Sequence, residues 1–402
     1  MYPGLLPGLN NPGDLLLKYP VFEERLEALR REGLLRSISD RDSPQGRIIR
    51  VRGGVLVNFS SNDYLGLCGH DSLRRAAARA AEEYGTGSGA SRLLSGGTAL
   101  HRRLERLLSD LKATEASVLF GSGYAANTGA IPAIADRDAT IFSDELNHAS
   151  LIDGCRLSRA STVIYRHADM DHLEELLRTV RRGRPVIVTD SVFSMDGDIA
   201  PLRDLTQLAA AHDALLYIDD AHGTGVLGRG RGALSHFGIP PESFVIQMGT
   251  LSKAAGSYGA FIAAGGDLVR WLVNTARTLI YSTALPAHLV AASVEAVRIM
   301  TSDALLVDRL WRNRESLVRG LHCIGVDTGR SETPIVPILL EDDQAALRLS
   351  EFLRARGIHA PAIRRPTVRT PRLRLTVSAA HTEEDIALLI TSLREARDCG
   401  LF

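Results

Sequence analysis

The chain has 402 residues, in which 47 Lys and Arg balance 47 Asp and Glu, and 45% of the residues are hydrophobic. A chain of this length and composition can bury its apolar surface without staples. Charge neutrality argues against a nucleic-acid partner, which calls for a basic excess, and no run reaches the roughly 18 apolar residues of a membrane helix.

Residues 1–20 carry Pro3-Gly4, Pro7-Gly8 and Pro12-Gly13 with no basic start followed by an apolar run. That stretch reads as a draped leader rather than a secretory signal. Residues 21–36 read as a charged amphipathic helix. The apolar stretches 48–51 and 55–59 flank Gly53-Gly54, a hairpin signal. Together these make an N-terminal segment, 1–59. Asp71 is the expected cap of an Ala-rich helix to about Tyr84. Thr98 is the expected cap of a second helix, with Leu100, Leu104, Leu107, Leu108 and Leu111 on one face.

Short apolar runs then alternate with helical stretches, at 117–120, 140–142, 162–165, 185–189, 214–218 and 244–248, and 259–264 reads as a further strand. The alternation predicts an α/β domain over 60–290, with a large, mostly parallel sheet covered on both faces. A helical region from Pro286 to about Cys323 follows. Then come a strand at 335–340, a helix to about Arg356, a strand at 372–378 and a closing helix behind a Thr382–Asp385 capping box. This α+β tail, 291–402, reads as a smaller C-terminal domain. Cys68, Cys155, Cys323 and Cys399 are scattered and form no CxxC pair, so neither a zinc site nor a disulfide framework is expected. Reduced thiols and a cytoplasmic location are the expectation.

Three glycine-rich loops invite comparison with phosphate-binding turns. Gly223-Thr224-Gly225-Val226-Leu227-Gly228 fits a dinucleotide fingerprint, but Arg229-Gly230-Arg231-Gly232 is a poor start for the helix such a site requires. The loop at 84–89 reads as a connection. Gly121-Ser122-Gly123-Tyr124 lies between a strand and an Ala-rich helix, where free N–H groups favour an anion, and Tyr124 could stack on a flat ring. Asp219-Asp220-Ala221-His222 closes an apolar strand, the end at which open α/β sheets bind ligands. Lys253 follows the next strand among small residues, where desolvation would free its amine as a nucleophile. A Lys, an Asp and an anion cradle so placed suit pyridoxal phosphate. That cofactor needs a Schiff-base lysine and an acid at its ring nitrogen. Ser194 offers a hydroxyl after another strand. Asp196 and Asp198 read as turn residues, and His148 reads as a helix start. No metal site is expected.

The ordered motifs Asn58-Phe59-Ser60-Ser61-Asn62-Asp63-Tyr64-Leu65-Gly66-Leu67, Asn147-His148-Ala149-Ser150, Val192-Phe193-Ser194-Met195-Asp196-Gly197-Asp198, Asp219-Asp220-Ala221-His222-Gly223-Thr224-Gly225 and Thr250-Leu251-Ser252-Lys253 resemble those of the α-oxoamine synthases. These are pyridoxal-phosphate enzymes of the aspartate-aminotransferase fold (type I), and the match spans about 26–396. Ala221 to Gly225 and Ala362-Ile363-Arg364-Arg365-Pro366-Thr367-Val368 resemble the branch that condenses alanine with a pimeloyl thioester in biotin synthesis. The chain departs from the family after Val368, where Arg369-Thr370-Pro371 replaces the usual Pro-x-Gly turn.

The resemblance implies a role for each matching position. Lys253 would carry the cofactor and move the Cα proton, Asp219 would pair with the ring nitrogen, and His148 would stack on the ring. Asp220, facing the other way on its strand, would matter much less to turnover. Ser194 and His222 would contact the ring oxygen. Gly123 and Tyr124 would hold the cofactor, and Thr250 its phosphate. Arg364 would bind the amino-acid carboxylate, Arg36 and Thr367 would line the acyl-chain site, and Asn62 would sit near the reacting centre. Ser282 and Thr283 would reach the phosphate of a partner subunit, since these enzymes are homodimers with composite sites. The acyl group could arrive on a carrier protein or on coenzyme A. Glycine C-acetyltransferase is the alternative within the family. A nicotinamide-dependent oxidoreductase built on the Gly223 loop is the alternative outside it, and it would leave Lys253 incidental. A cofactor-free binding protein would leave Asp219, His222 and Lys253 all unexplained.

Overall fold

The computed structural model describes residues 20–179 and 183–402, so the Pro/Gly leader lies outside the described residues apart from Pro20. The first helix, Pro20–Arg31, is shorter than expected. Gly33 adopts φ +68°, a left-handed conformation that ends helices and that glycine takes without strain. Strands β1 (Ile48–Val51) and β2 (Gly54–Asn58) form the expected antiparallel hairpin.

Seven strands build the central sheet: β3 (Ala116–Phe120), β4 (Ala139–Asp144), β5 (Ser161–Tyr165), β6 (Arg184–Asp190), β7 (Leu215–Asp219), β8 (Val245–Thr250) and β9 (Ala260–Ala264). Their order is β3-β9-β8-β7-β6-β4-β5. All neighbours run parallel except β9, which is antiparallel to both β3 and β8. Neighbouring side chains of a strand face opposite ways. In β7, Leu216 and Ile218 therefore join the core that includes Leu104, Leu108 and Phe142. Tyr217 joins the opposite core, with Ala126, Ile131 and Ile246. The helix Ala99–Lys112 covers the first face, while Gly123–Ile134 and Ala149–Ser158 cover the second. Such two-sided burial explains the short, continuously apolar runs seen in the sequence.

The C-terminal part holds β10 (Ile335–Leu339), β11 (Ile358–His359), β12 (Ala362–Ile363) and β13 (Arg372–Thr376). Strand β13 lies between β10 and β12, antiparallel to both. Two-residue strands carry no periodicity, and β11 and β12 were not legible beforehand. Strand β11 pairs in parallel with β2, and Phe59 packs in the same core as Leu317, Ile338, Leu373 and Leu389. Asp385 closes the expected capping box by accepting from Thr382 N–H at 2.9 Å. It also accepts from Arg47 at 2.8 Å, which ties the N-terminal hairpin to the closing helix.

Two local expectations gain detail. The helical region expected to Cys323 is two helices divided at Asp303, whose side chain caps the second by accepting from Leu305 N–H. His70 caps the helix expected to start from Asp71, leaving Asp71 in the first turn, where a negative charge suits the helix dipole. Among the described residues, no helix is long and apolar enough to cross a membrane.

Candidate active site

Strands β6, β7 and β8 end side by side at Asp190, Asp219 and Thr250, and in register Asp190 lies directly beside Asp219. Asp219 is buried. Its Oδ2 accepts from Asn127 Nδ2 at 2.8 Å and its Oδ1 from Ala221 N–H at 3.0 Å. Asn127 lies one turn into the helix that Gly123 opens, and it is held in turn by the Tyr217 hydroxyl at 2.8 Å. Burial raises the Asp219 pKa, while the Lys253 charge and the Asn127 hydrogen bond pull it back down. Asp190 is raised well above the ordinary value, first by burial and then by the Asp219 charge. Two adjacent buried carboxyls disfavour ionising together, and the Asn127 and Ala221 donors favour the charged form at Asp219.

Lys253 stands in the turn after β8. Its Nζ lies 2.8 Å from His222 Nε2, and His222 Nδ1 lies 2.7 Å from the Tyr64 hydroxyl. Burial brings the lysine pKa down to about 8, although Asp219 and Asp190 work against the shift. Burial, and next the Lys253 charge, hold His222 well below the usual histidine range, so its ring is neutral. With Nε2 accepting from the ammonium, Nδ1–H donates to Tyr64. The Tyr64 hydroxyl reaches Asn62 Oδ1 at 3.3 Å, and Arg374 Nη2 donates to that same oxygen at 3.1 Å. Arg374 Nε also donates to the Ser194 carbonyl. The network thus joins Asn62, Tyr64, Ser194, His222, Lys253 and Arg374 from distant parts of the chain.

His148 caps its helix, and its N–H donates to Asp190 Oδ2 at 2.7 Å. Its pKa is lowered by burial, opposed by Asp219, so its ring also faces this cluster. Gly123 and Tyr124 form the first turn of a helix capped by Ser122, where backbone amides have no intrahelical acceptor. Tyr124 directs its hydroxyl to Asp153. The Thr250 hydroxyl contacts Ser252 Oγ at 2.8 Å and donates to Gly259 O at 3.0 Å. Arg36 donates to Thr367 Oγ1 at 2.9 Å, which brings together two residues 331 positions apart. Arg364 instead donates to the carbonyl of Gly33. The guanidinium within the Lys253 network is that of Arg374, which sequence reasoning had not singled out. Thr283 is exposed and bridges to Ser91.

Asp220 faces the other way from Asp219, as an extended strand requires. It meets Lys112 Nζ at 2.5 Å, a pair with side-chain exposures of 2% and 0%. Ser191 Oγ, at 2.7 Å, and Thr224 Oγ1, at 3.1 Å, also donate to it. Asp220 is therefore an anchor of the fold. The Gly223 loop makes turns and a single 3-10 turn at Gly228–Gly230, with no helix opening on its glycines, so no dinucleotide cradle forms there. Asp196 and Asp198 are more than turn residues. Arg372 pairs with Asp196, while His167 Nε2 reaches Asp198 Oδ2 at 2.7 Å and His167 Nδ1 reaches Asp144 Oδ1 at 3.0 Å. Among the described residues, no cluster of His, Cys, Asp and Glu could hold a metal ion.

Residues 55–393 match the aminotransferase class I and II family. The chain belongs to that family. Within it, the motifs and neighbours are those of the α-oxoamine synthases. The chain is 46% identical to the 8-amino-7-oxononanoate synthase of Geobacter sulfurreducens, over 94% of this chain and 98% of that protein. A serine palmitoyltransferase from S. paucimobilis, solved with PLP and myriocin bound, superposes with a TM-score of 0.90 at 27% identity. The overlap covers 97% of this chain and all of that one. An 8-amino-7-oxononanoate synthase from Francisella tularensis superposes with a TM-score of 0.75 at 26% identity, over 86% of this chain and 99% of that one.

Proposed function

We propose that this chain is a pyridoxal-phosphate-dependent C-acyltransferase, an 8-amino-7-oxononanoate synthase acting in biotin synthesis in the cytoplasm. It condenses L-alanine with a pimeloyl thioester. A bond forms between the alanine Cα and the thioester carbonyl, the thiol leaves, and the alanine carboxylate departs as carbon dioxide. The observation that carries the reading is the Lys253 amine, held beside His222 with its pKa near 8 and facing Asp219. That donor set fits the cofactor: an amine that is partly neutral near working pH, a buried carboxylate, and helix amides at Gly123 and Tyr124 for a phosphate. When bound, the cofactor withdraws electrons from the substrate Cα through its protonated ring.

The remaining work falls to this chain's own residues. Asp219 would hold the ring proton, and Asn127 fixes the carboxylate's orientation. His148 would cover the ring, Ser194 and His222 would contact its oxygen, and Thr250 would serve the phosphate. Lys253 takes the Cα proton, as a base whose pKa lies near the working pH. Arg374, with Asn62 beside it in the Lys253 network, would receive the amino-acid carboxylate in place of Arg364, to which the resemblance gives that role; a planar fork suits the group. Arg36 and Thr367 line the acyl side.

The serine palmitoyltransferase superposes more completely, but the shared fold accounts for that likeness, and the higher sequence identity favours the alanine enzyme. A homodimer completes the site. The bridge from Ser91 to Thr283 sits among large exposed apolar side chains, Leu94 at 80% and Tyr281 at 72% exposure, which suits burial against a second copy. Mixing a Lys253→Ala chain with a Thr283→Ala chain restores part of the activity in heterodimers if the sites are shared, whereas a fully active monomer rules sharing out. The substrate test is a competition read by mass spectrometry. Alanine with pimeloyl-CoA gives the nine-carbon amino ketone, and a preference for glycine with acetyl-CoA assigns the chain to the sister activity.

A further inference from the structure

A cleft of about 570 Å³ opens beside the Lys253 network, and Ser194 and Thr367 both line it. Ser194 joins it to the reacting centre through Arg374, and Thr367 joins it to Arg36. The charges along the walls mostly cancel. Arg372 neutralises Asp196. His167 neutralises Asp198, with Asp144 on its other nitrogen. Burial alone would discharge the His167 ring, but its hydrogen bonds to both carboxylates outweigh it and push the pKa to about 10, so the pairing persists at any working pH. Glu145 is the remaining acid, and it accepts from the backbone N–H of His167 at 3.1 Å.

Two lining guanidiniums stand outside this cancellation. Arg330 and Arg369 are exposed, and neither forms an ion pair among the described residues. They come from chain segments far apart in sequence, the loop before β10 and the loop before β13, yet they line one cavity. Arg369 is also the first residue of the departure from the family's Pro-x-Gly turn. Guanidinium groups recognise carboxylate and phosphate oxygens through paired N–H donors.

We infer that Arg330 and Arg369 form an anion-recognition pair at the mouth of this cleft, selecting acyl donors that carry an anionic group away from the thioester. The inference rests on the acyltransferase reading above. The anion is either the far carboxylate of the acyl chain or a phosphate of the thiol carrier, and the two sources share this chemistry. Cations facing a solvent-open cleft act over a Debye length, so binding weakens as salt rises.

The test compares wild type with Arg330→Gln and Arg369→Gln, measuring both dissociation constants and KM. Three donors are used: pimeloyl-CoA, heptanoyl-CoA, which lacks the far carboxylate, and pimeloyl N-acetylcysteamine, which lacks phosphate. Each substitution is expected to weaken pimeloyl-CoA by about five- to thirtyfold, leaving KM for alanine and the absorbance of bound cofactor unchanged. Weakening of both pimeloyl donors but not heptanoyl-CoA identifies the carboxylate. Weakening of both CoA donors but not the cysteamine thioester identifies the phosphate. Equal effects on all three donors, or none, overturn the inference. Arginine-dependent binding of pimeloyl-CoA without turnover would refute the synthase reading and keep the site. Turnover indifferent to both arginines would refute the site and keep the reading.

Discussion

Asp219 and Asp220 are neighbours in sequence, and their neutralisation should have different effects. Asp220→Asn keeps the side-chain shape but leaves the Lys112 ammonium, fully buried, without its counter-charge at 2.5 Å. Breaking one partner of a buried pair costs about 3–5 kcal/mol. The hydroxyls of Ser191 and Thr224 also lose part of their acceptor, which adds to the loss. Since whole domains are stable by only about 5–15 kcal/mol, the substitution removes a large share of the margin. Urea unfolding of the apo chain, followed by tryptophan fluorescence, reads this out. Trp311 donates to the Val226 carbonyl, in the loop that Asp220 anchors. Adding Lys112→Met removes the stranded charge, so the double variant should be more stable than Asp220→Asn alone. A cost below about 1 kcal/mol for Asp220→Asn, or strictly additive losses in the double variant, would refute the anchoring role.

Asp219→Asn relieves a carboxylate that burial disfavours but turns an amide NH2 towards the Asn127 or Ala221 donor, so apo stability should fall by only about 1–3 kcal/mol, less than for Asp220→Asn. Turnover should nonetheless fall roughly a hundred- to thousandfold, equivalent to two to three pKa units at the ring nitrogen; comparing urea midpoints with kcat for the two Asp variants checks the contrast. Schiff-base formation between the apo chain and an added aromatic aldehyde should quicken as pH rises through about 8 and then level off, because the neutral Lys253 amine is the nucleophile; a rate still climbing at pH 10 would contradict the burial of that amine. His167 has a folded pKa of about 10 against an ordinary 6.5, so its charge stabilises the fold fully below 6.5, and that contribution disappears as pH rises through 10. Buried Lys253, lowered to about 8, pulls the other way above pH 8, so the His167 contribution is read as the stability difference between wild type and His167→Gln, which should shrink between pH 7 and 10. Denaturant midpoints across that range decide the point.

The fold was legible where the physics is local. The apolar runs that became β4, β6, β7 and β8, and the box at Thr382 and Asp385, follow from burial on two faces and from side-chain capping. Lys253, Asp219 and His222 were legible because strand ends in a parallel sheet concentrate ligand groups. Asp190 could have been found the same way, since it ends β6 one strand from Asp219. Arg374, Tyr64 and Lys112 could not. Their roles depend on contacts across 310, 158 and 108 residues of chain, to which no local period points. Arg364 and Arg374 lie ten positions apart in an arginine-rich stretch, and the strand pairing of β13 determines which of them enters the network.

The central claim is that Lys253 holds the cofactor. Borohydride reduction of the purified, cofactor-loaded protein, followed by proteolysis and mass spectrometry, tests it most directly. The account predicts a reduced pyridoxyl group on the peptide containing Lys253, absent from Lys253→Ala. A pyridoxyl group fixed to Lys112, or to any other lysine, would contradict it.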